Sequence, residues 1–126
     1  MSTGGAGRTA YWKECITHFA DTPLTTLFGH GKQATLVLLN GSPAHNYLID
    51  CLYNGGLVGL ALFINFVIGL YRNASKVKNT YAQSLLVSYF VVIQTISVGS
   101  NMYFWIGIIL LMLISGIPEE VLEKKL

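Results

Sequence analysis

The chain has 126 residues, 52% of them hydrophobic and 11% charged, with a formal net charge of +2. A soluble domain carries about 25% charged residues, so this deficit points to surface that faces lipid. The length has room for one small domain or a few membrane spans, not for a large enzyme with its own cleft. The slight positive charge, with no basic run, argues against a nucleic-acid partner.

Residues 1–8 are rich in Gly, Ser and Thr and read as flexible, with no apolar stretch of the signal-peptide kind. Thr9 is placed to cap a short helix over 10–20. Trp12, Ile16 and Phe19 recur at i, i+4 and i+7 on one face of it, so the helix is amphipathic and suited to a membrane surface or to neighbouring helices. Residues 21–46 are punctuated by Pro23, Gly29, Gly31, Gly41 and Pro43 and read as a loop. The apolar run 34–39 inside it is too short to cross a bilayer.

Three spans are expected next, at about 47–71, 82–99 and 102–117. The first, at about 1.5 Å per residue, is long enough to cross with tilt. The third is short, with its ends in the headgroups and Pro118, Glu119 and Glu120 stopping it. The predicted fold is therefore all-α and integral to the membrane. Arg72, Lys76 and Lys78 follow the first span without an acid among them, which places that loop in the cytoplasm. The turn Gly99-Ser100-Asn101 lies outside, Lys124 and Lys125 put the C-terminus inside, and residues 1–46 are extracytoplasmic. Cys15 and Cys51 form no CxxC pair and read as two small apolar side chains.

Candidate chemistry gathers at the start of the first span. Ser42 before Pro43 has the pattern of an N-cap followed by Pro at the first helical position, which puts His45 in the first helical turn. Helix N-termini attract anions, and a neutral histidine there can act as a general base. Asn46, Asp50 and Asn54 recur every four residues as a polar stripe that should face other helices or a wet cavity. On a continuous helix Asp50 lies about 140° around from His45, too far to orient it. For Asn54, packing is the preferred role. Gly55 and Gly59 form a GxxxG pair that permits close helix approach.

Arg8, just before the 10–20 helix, is a candidate phosphate clamp, and Lys32 is a further phosphate contact. Gly29-His30-Gly31-Lys32 lacks the first Gly and the final Ser/Thr of a phosphate loop. Cys15, His18, His30 and His45 show no metal-binding spacing.

In order, Gly7-Arg8-Thr9, Trp12, Pro23-Leu24, Gly29-His30-Gly31, His45-Asn46, then Gly55-Gly56 and Gly59 in an apolar helix resemble the O-antigen ligase and polymerase family of bacterial membrane glycosyltransferases. The match covers residues 4–70 well and the last two spans loosely, from the large extracytoplasmic loop onward. The resemblance implies an all-helical protein of the inner membrane and cell envelope. It implies transfer of glycan from an undecaprenyl-diphosphate carrier to a glycan, lipid or protein acceptor, such as lipopolysaccharide core. It assigns diphosphate binding to Arg8 and activation of the acceptor hydroxyl to His45, with no metal or nucleotide cofactor. The family's earlier spans are absent, along with an arginine they supply, so the chain reads as the C-terminal part of such an enzyme, with an N-terminal half as partner. A non-enzymatic small membrane protein, or an inactive remnant in a polysaccharide locus, is the alternative. A transporter fragment would need polar residues in several spans, and only Asn65 and Gln94 fit.

Overall fold

The computed structural model describes residues 6–94, 102–118, 120 and 121. Within them the fold is all-helical: α1 (Ala6–His18), α2 (Pro23–Phe28), α3 (Ala34–Leu38), α4 (Tyr47–Lys76), α5 (Thr80–Ile93) and α6 (Met102–Ser115), with no strand among the described residues. Among the described residues only α4, at 30 residues, is long and apolar enough to cross a membrane. Helices α5 and α6 have 14 residues each, about 21 Å of helix at 1.5 Å per residue, less than a hydrocarbon core of about 30 Å. The turn expected at 99–101 and the lysines at 124 and 125 lie outside the described residues.

The chain divides into two units: among the described residues, 6–63 with 93–94, and 64–92 with 102–118, 120 and 121. The first unit has a small core of Cys15, Leu39, Ala44 and Tyr53, against which Tyr11, Trp12, Phe19 and Leu38 pack. Helix α1 begins earlier than expected, so Arg8 and Thr9 belong to its first turns rather than to its approach. Its inward face also differs from the expected one. Cys15 is the buried residue, flanked by Trp12 and Phe19, while Ile16 is exposed. Positions 12, 15 and 19 follow the i, i+3, i+7 variant of the same periodicity.

The loop expected over 21–46 contains two short helices. Thr22 caps α2: its hydroxyl accepts from the Thr25 amide at 3.1 Å, the Thr22 amide donates back to the Thr25 hydroxyl at 3.0 Å, and Pro23 opens the first turn. Gly29, with φ 76°, closes the helix. Helix α3 is held by Asn54, whose Oδ1 accepts from both the amide and the hydroxyl of Thr35, at 3.0 and 3.1 Å. That is the packing role expected for Asn54.

Helix α4 is not one straight rod. Gly56 has φ 65° and ψ −164°, which breaks the helical path. Such a break frees carbonyl groups from their usual intrahelical partners. The backbone of the 29–31 segment takes two of them: the His30 amide donates to the Tyr53 carbonyl at 2.9 Å and the Gly31 amide to the Asn54 carbonyl at 3.0 Å. A Cβ on Gly29 would collide with the backbone of Asn54 and Gly55, and one on Gly56 with the backbone of Leu27 and Gly29. The close approach expected at Gly55 and Gly59 therefore occurs at Gly56, against a loop rather than against a parallel helix.

In the second unit Asn79 is fully buried. Its Oδ1 accepts from the Ala82 amide at 2.8 Å and so caps α5, and its Nδ2 donates to the Ile114 and Ile117 carbonyls at 3.0 and 2.7 Å. Asn73 donates to the Ser115 carbonyl at 3.3 Å. Two asparagines thus bind the α4–α5 turn to the end of α6, occupying carbonyl groups that a helix terminus leaves open.

Candidate functional site

His45 does not lie in the first turn of α4. Residues 42–44 are non-helical, His45 has φ 54°, and the helix starts at Tyr47. Asn46 is the capping residue instead: its Oδ1 accepts from the Ile49 amide at 3.2 Å, and its carbonyl accepts from the Asp50 amide at 3.0 Å. The Leu48 amide donates to Gln94 Oε1 at 3.4 Å. Side chains therefore occupy the amides that would have drawn an anion, and the helix terminus itself is not an open anion site.

The left-handed backbone at His45 changes what surrounds it. A non-glycine residue there is uncommon, and the turn takes His45 off the helical path on which Asp50 would be remote. Asp50 comes within hydrogen-bonding reach of Thr35 and close enough to His45 for their charges to interact. It also interacts electrostatically with Cys15 on α1. His45 and Asp50 are both half-buried. An imidazole beside a carboxyl group can accept a proton from a hydroxyl and share the resulting charge with it. One continuous helix through both residues would have held Asp50 on another face from His45.

Trp12 ties α1 to this turn. Its indole Nε1 donates to the Ala44 carbonyl at 2.8 Å, immediately before His45. Arg8 lies one turn earlier on α1 and is exposed. Residues four apart share a helix face, so Arg8 lies on the side of α1 that meets the 44–45 turn. Arg8 and His45, 37 positions apart in the chain, are thereby attached to one local framework.

Lys32 is exposed in the turn between Gly31 and α3, and among the described residues no hydrogen bond or ion pair joins it to Arg8 or His45. The neighbouring His30 has a structural job. Its ring stacks on Tyr53 with centroids 4.3 Å apart and planes 9° from parallel, and its Nε2 is 2.9 Å from the His18 carbonyl. Gly29-His30-Gly31 thus seals the α4 break. Among the described residues no cluster of His, Cys, Asp and Glu could hold a metal ion. Cys15 and Cys51 are free thiols, and burial, with Asp50 and Glu14 nearby, pushes the Cys15 thiol up to about 11.

No known protein family, curated protein or solved structure matches the chain at a significant level. Among its described residues the chain is all-helical, with one helix long and apolar enough to cross a bilayer.

Proposed function

We propose that the chain is the C-terminal part of a membrane glycosyltransferase of the O-antigen ligase or polymerase type, spanning the bacterial inner membrane with residues 1–46 on the extracytoplasmic side. In this reading α5 and α6 are further spans and the C-terminus is cytoplasmic. The observation that carries the reading is the Trp12–Ala44 hydrogen bond, because it fastens the helix bearing Arg8 to the turn bearing His45.

The chemistry follows from the two side chains. An acceptor hydroxyl attacks the anomeric carbon of the carrier-linked glycan, a new C–O bond forms, and the bond to the diphosphate breaks. His45 takes the hydroxyl proton, and Asp50 steadies the imidazolium that results. Undecaprenyl diphosphate departs with the bonding electrons, and the Arg8 guanidinium matches its oxygens in a bidentate fashion, with Lys32 as a further contact. Electrostatic stabilisation of a leaving anion together with a positioned base accomplishes the transfer without a metal or nucleotide.

Binding isolates the first half of this assignment. The chain in phospholipid vesicles is titrated with radiolabelled undecaprenyl diphosphate, and Arg8→Ala should weaken binding about tenfold, the loss of one charge-assisted contact of roughly 1.4 kcal/mol. Equal binding by Arg8→Ala removes the diphosphate role, and no binding by either protein favours a small non-enzymatic membrane protein.

A further inference from the structure

The most exposed apolar side chains of the first unit outside α4 include those of α2. Leu24 is 68% exposed and Phe28 60%, with Leu27 also exposed. Large apolar groups on a six-residue helix at the surface need a reason.

Three observations identify the occupant of this face. First, the segment carries no charge: between Asp21 and Lys32 every residue is apolar, Gly, Pro, Thr or His. Second, its hydroxyls are turned onto its own backbone or each other. Thr25 and Thr26 donate to the Thr22 carbonyl at 3.0 and 2.8 Å, and the Thr22 hydroxyl accepts from the Thr25 amide. Beyond Phe28, the amides of Gly29, His30 and Gly31 are bonded to the Thr25, Tyr53 and Asn54 carbonyls. Hydroxyls and amides bonded within the chain lower the cost of moving this segment out of water. Third, the face continues into the candidate span. The backbone of Leu27 and Gly29 abuts Gly56, and Leu57, Val58 and Leu62, directly beyond it, are exposed. From 57 to Tyr71, just ahead of Arg72, the apolar part of α4 rises about 22 Å, most of a hydrocarbon core of about 30 Å. The Gly56 break therefore falls in the outer part of the hydrocarbon core, toward the face away from Arg72.

We infer that α2 is an interfacial anchor, with Leu24, Leu27 and Phe28 seated in the acyl-chain border of the bilayer beside the Gly56 break. The inference rests on α4 crossing the membrane. It fixes the height of the Arg8–His45 framework, because the loop that closes α2 is bonded to the same helix half that His45 precedes. Aliphatic and aromatic side chains at this depth, with no basic residue among them, predict binding driven by apolar burial rather than by lipid charge.

Spin labels on the full chain in phosphatidylcholine vesicles test the placement. Cys51→Ala removes the partly exposed thiol, and Cys15, which is 1% exposed, stays unlabelled in the folded chain. Single cysteines then replace Leu24, Phe28, Leu62 or Lys13, and accessibility to oxygen is compared with accessibility to a water-soluble nickel complex. The expected result is oxygen-dominated relaxation at Leu24→Cys and Phe28→Cys, shallower than at Leu62→Cys, with nickel-dominated relaxation at Lys13→Cys. Nickel-dominated relaxation at both α2 positions, with Leu62→Cys still in lipid, overturns the anchor and leaves the span intact. Nickel dominance at Leu62→Cys as well overturns both. Protection of α2 from oxygen and nickel alike means a protein occupies the face, and also overturns the inference. A Leu24→Ser, Phe28→Ser double variant gives a second reading: the span should remain inserted while a label at Thr26→Cys moves toward water.

Discussion

Gly29 and Gly56 meet backbone to backbone, each at positive φ and each with no room for a Cβ. This contact turns a helix break into a closed joint, because the carbonyls freed by the break are taken by the amides that follow Gly29. Everything proposed for the site depends on that joint. It sets the half of α4 that carries Asp50 and Asn54 against α2, α3 and the loop between them.

Alanine at either glycine should therefore be costly. Both the left-handed backbone and the backbone collision oppose a methyl group, for a loss of at least about 2 kcal/mol at each position. Gly31 is the control, since it has φ 96° but open space around it. Gly31→Ala should cost only the backbone strain, about 1 kcal/mol. Thermal unfolding in detergent micelles, followed by circular dichroism, orders the three variants.

Trp12→Phe keeps the ring in the core but deletes the donor to the Ala44 carbonyl. A buried acceptor without its partner costs about 1–3 kcal/mol. The effect should be local. Amides of α1 should exchange hydrogen faster in this variant, while those of α6 keep the wild-type rate.

Cys15 gives the fold a pH signature. Its thiol is raised from the ordinary 9.0 to about 11 by burial and by Asp50 and Glu14 nearby. The unfolded chain therefore loses this proton first as pH rises. Stability attached to the neutral thiol is complete below about pH 9 and is lost between 9 and 11. The melting temperature of the wild type should fall more between pH 8 and pH 10 than that of Cys15→Ser. At pH 8 the native Cys15 should resist alkylation that the unfolded chain accepts.

The helical class and the apolar run of α4 were legible in the sequence because hydropathy and periodicity are local properties. The caps were less so. Thr22-Pro23 and Ser42-Pro43 are the same signature, yet only the first starts a helix. What separates them lies downstream. Thr25 completes a reciprocal cap for Thr22, whereas Asn46 supplies a better cap of its own and shifts the start of α4 past His45. Among Gly55, Gly56 and Gly59, the one that bends is chosen by Leu27 and Gly29, which lie nearly thirty positions away. The electrostatic link between His45 and Asp50 was hidden for the same reason, since a helical ruler drawn through His45 puts Asp50 on another face. Arg8, Trp12 and His45 stood out by residue type and order. Their attachment to one another rests on a single indole hydrogen bond that no spacing rule foretells.

The central claim is that His45, steadied by Asp50, acts as the base in glycan transfer from a lipid diphosphate. Its most direct test measures transfer of labelled oligosaccharide from undecaprenyl diphosphate to acceptor in membranes that hold this chain together with the spans proposed to precede it. His45→Ala should lower transfer by at least about 100-fold, the lower end of what a positioned base contributes, with the amount of protein in the membrane unchanged. Asp50→Asn should lower it less, because the protonated imidazole then loses its acidic partner. Transfer at the wild-type rate by His45→Ala would contradict the account.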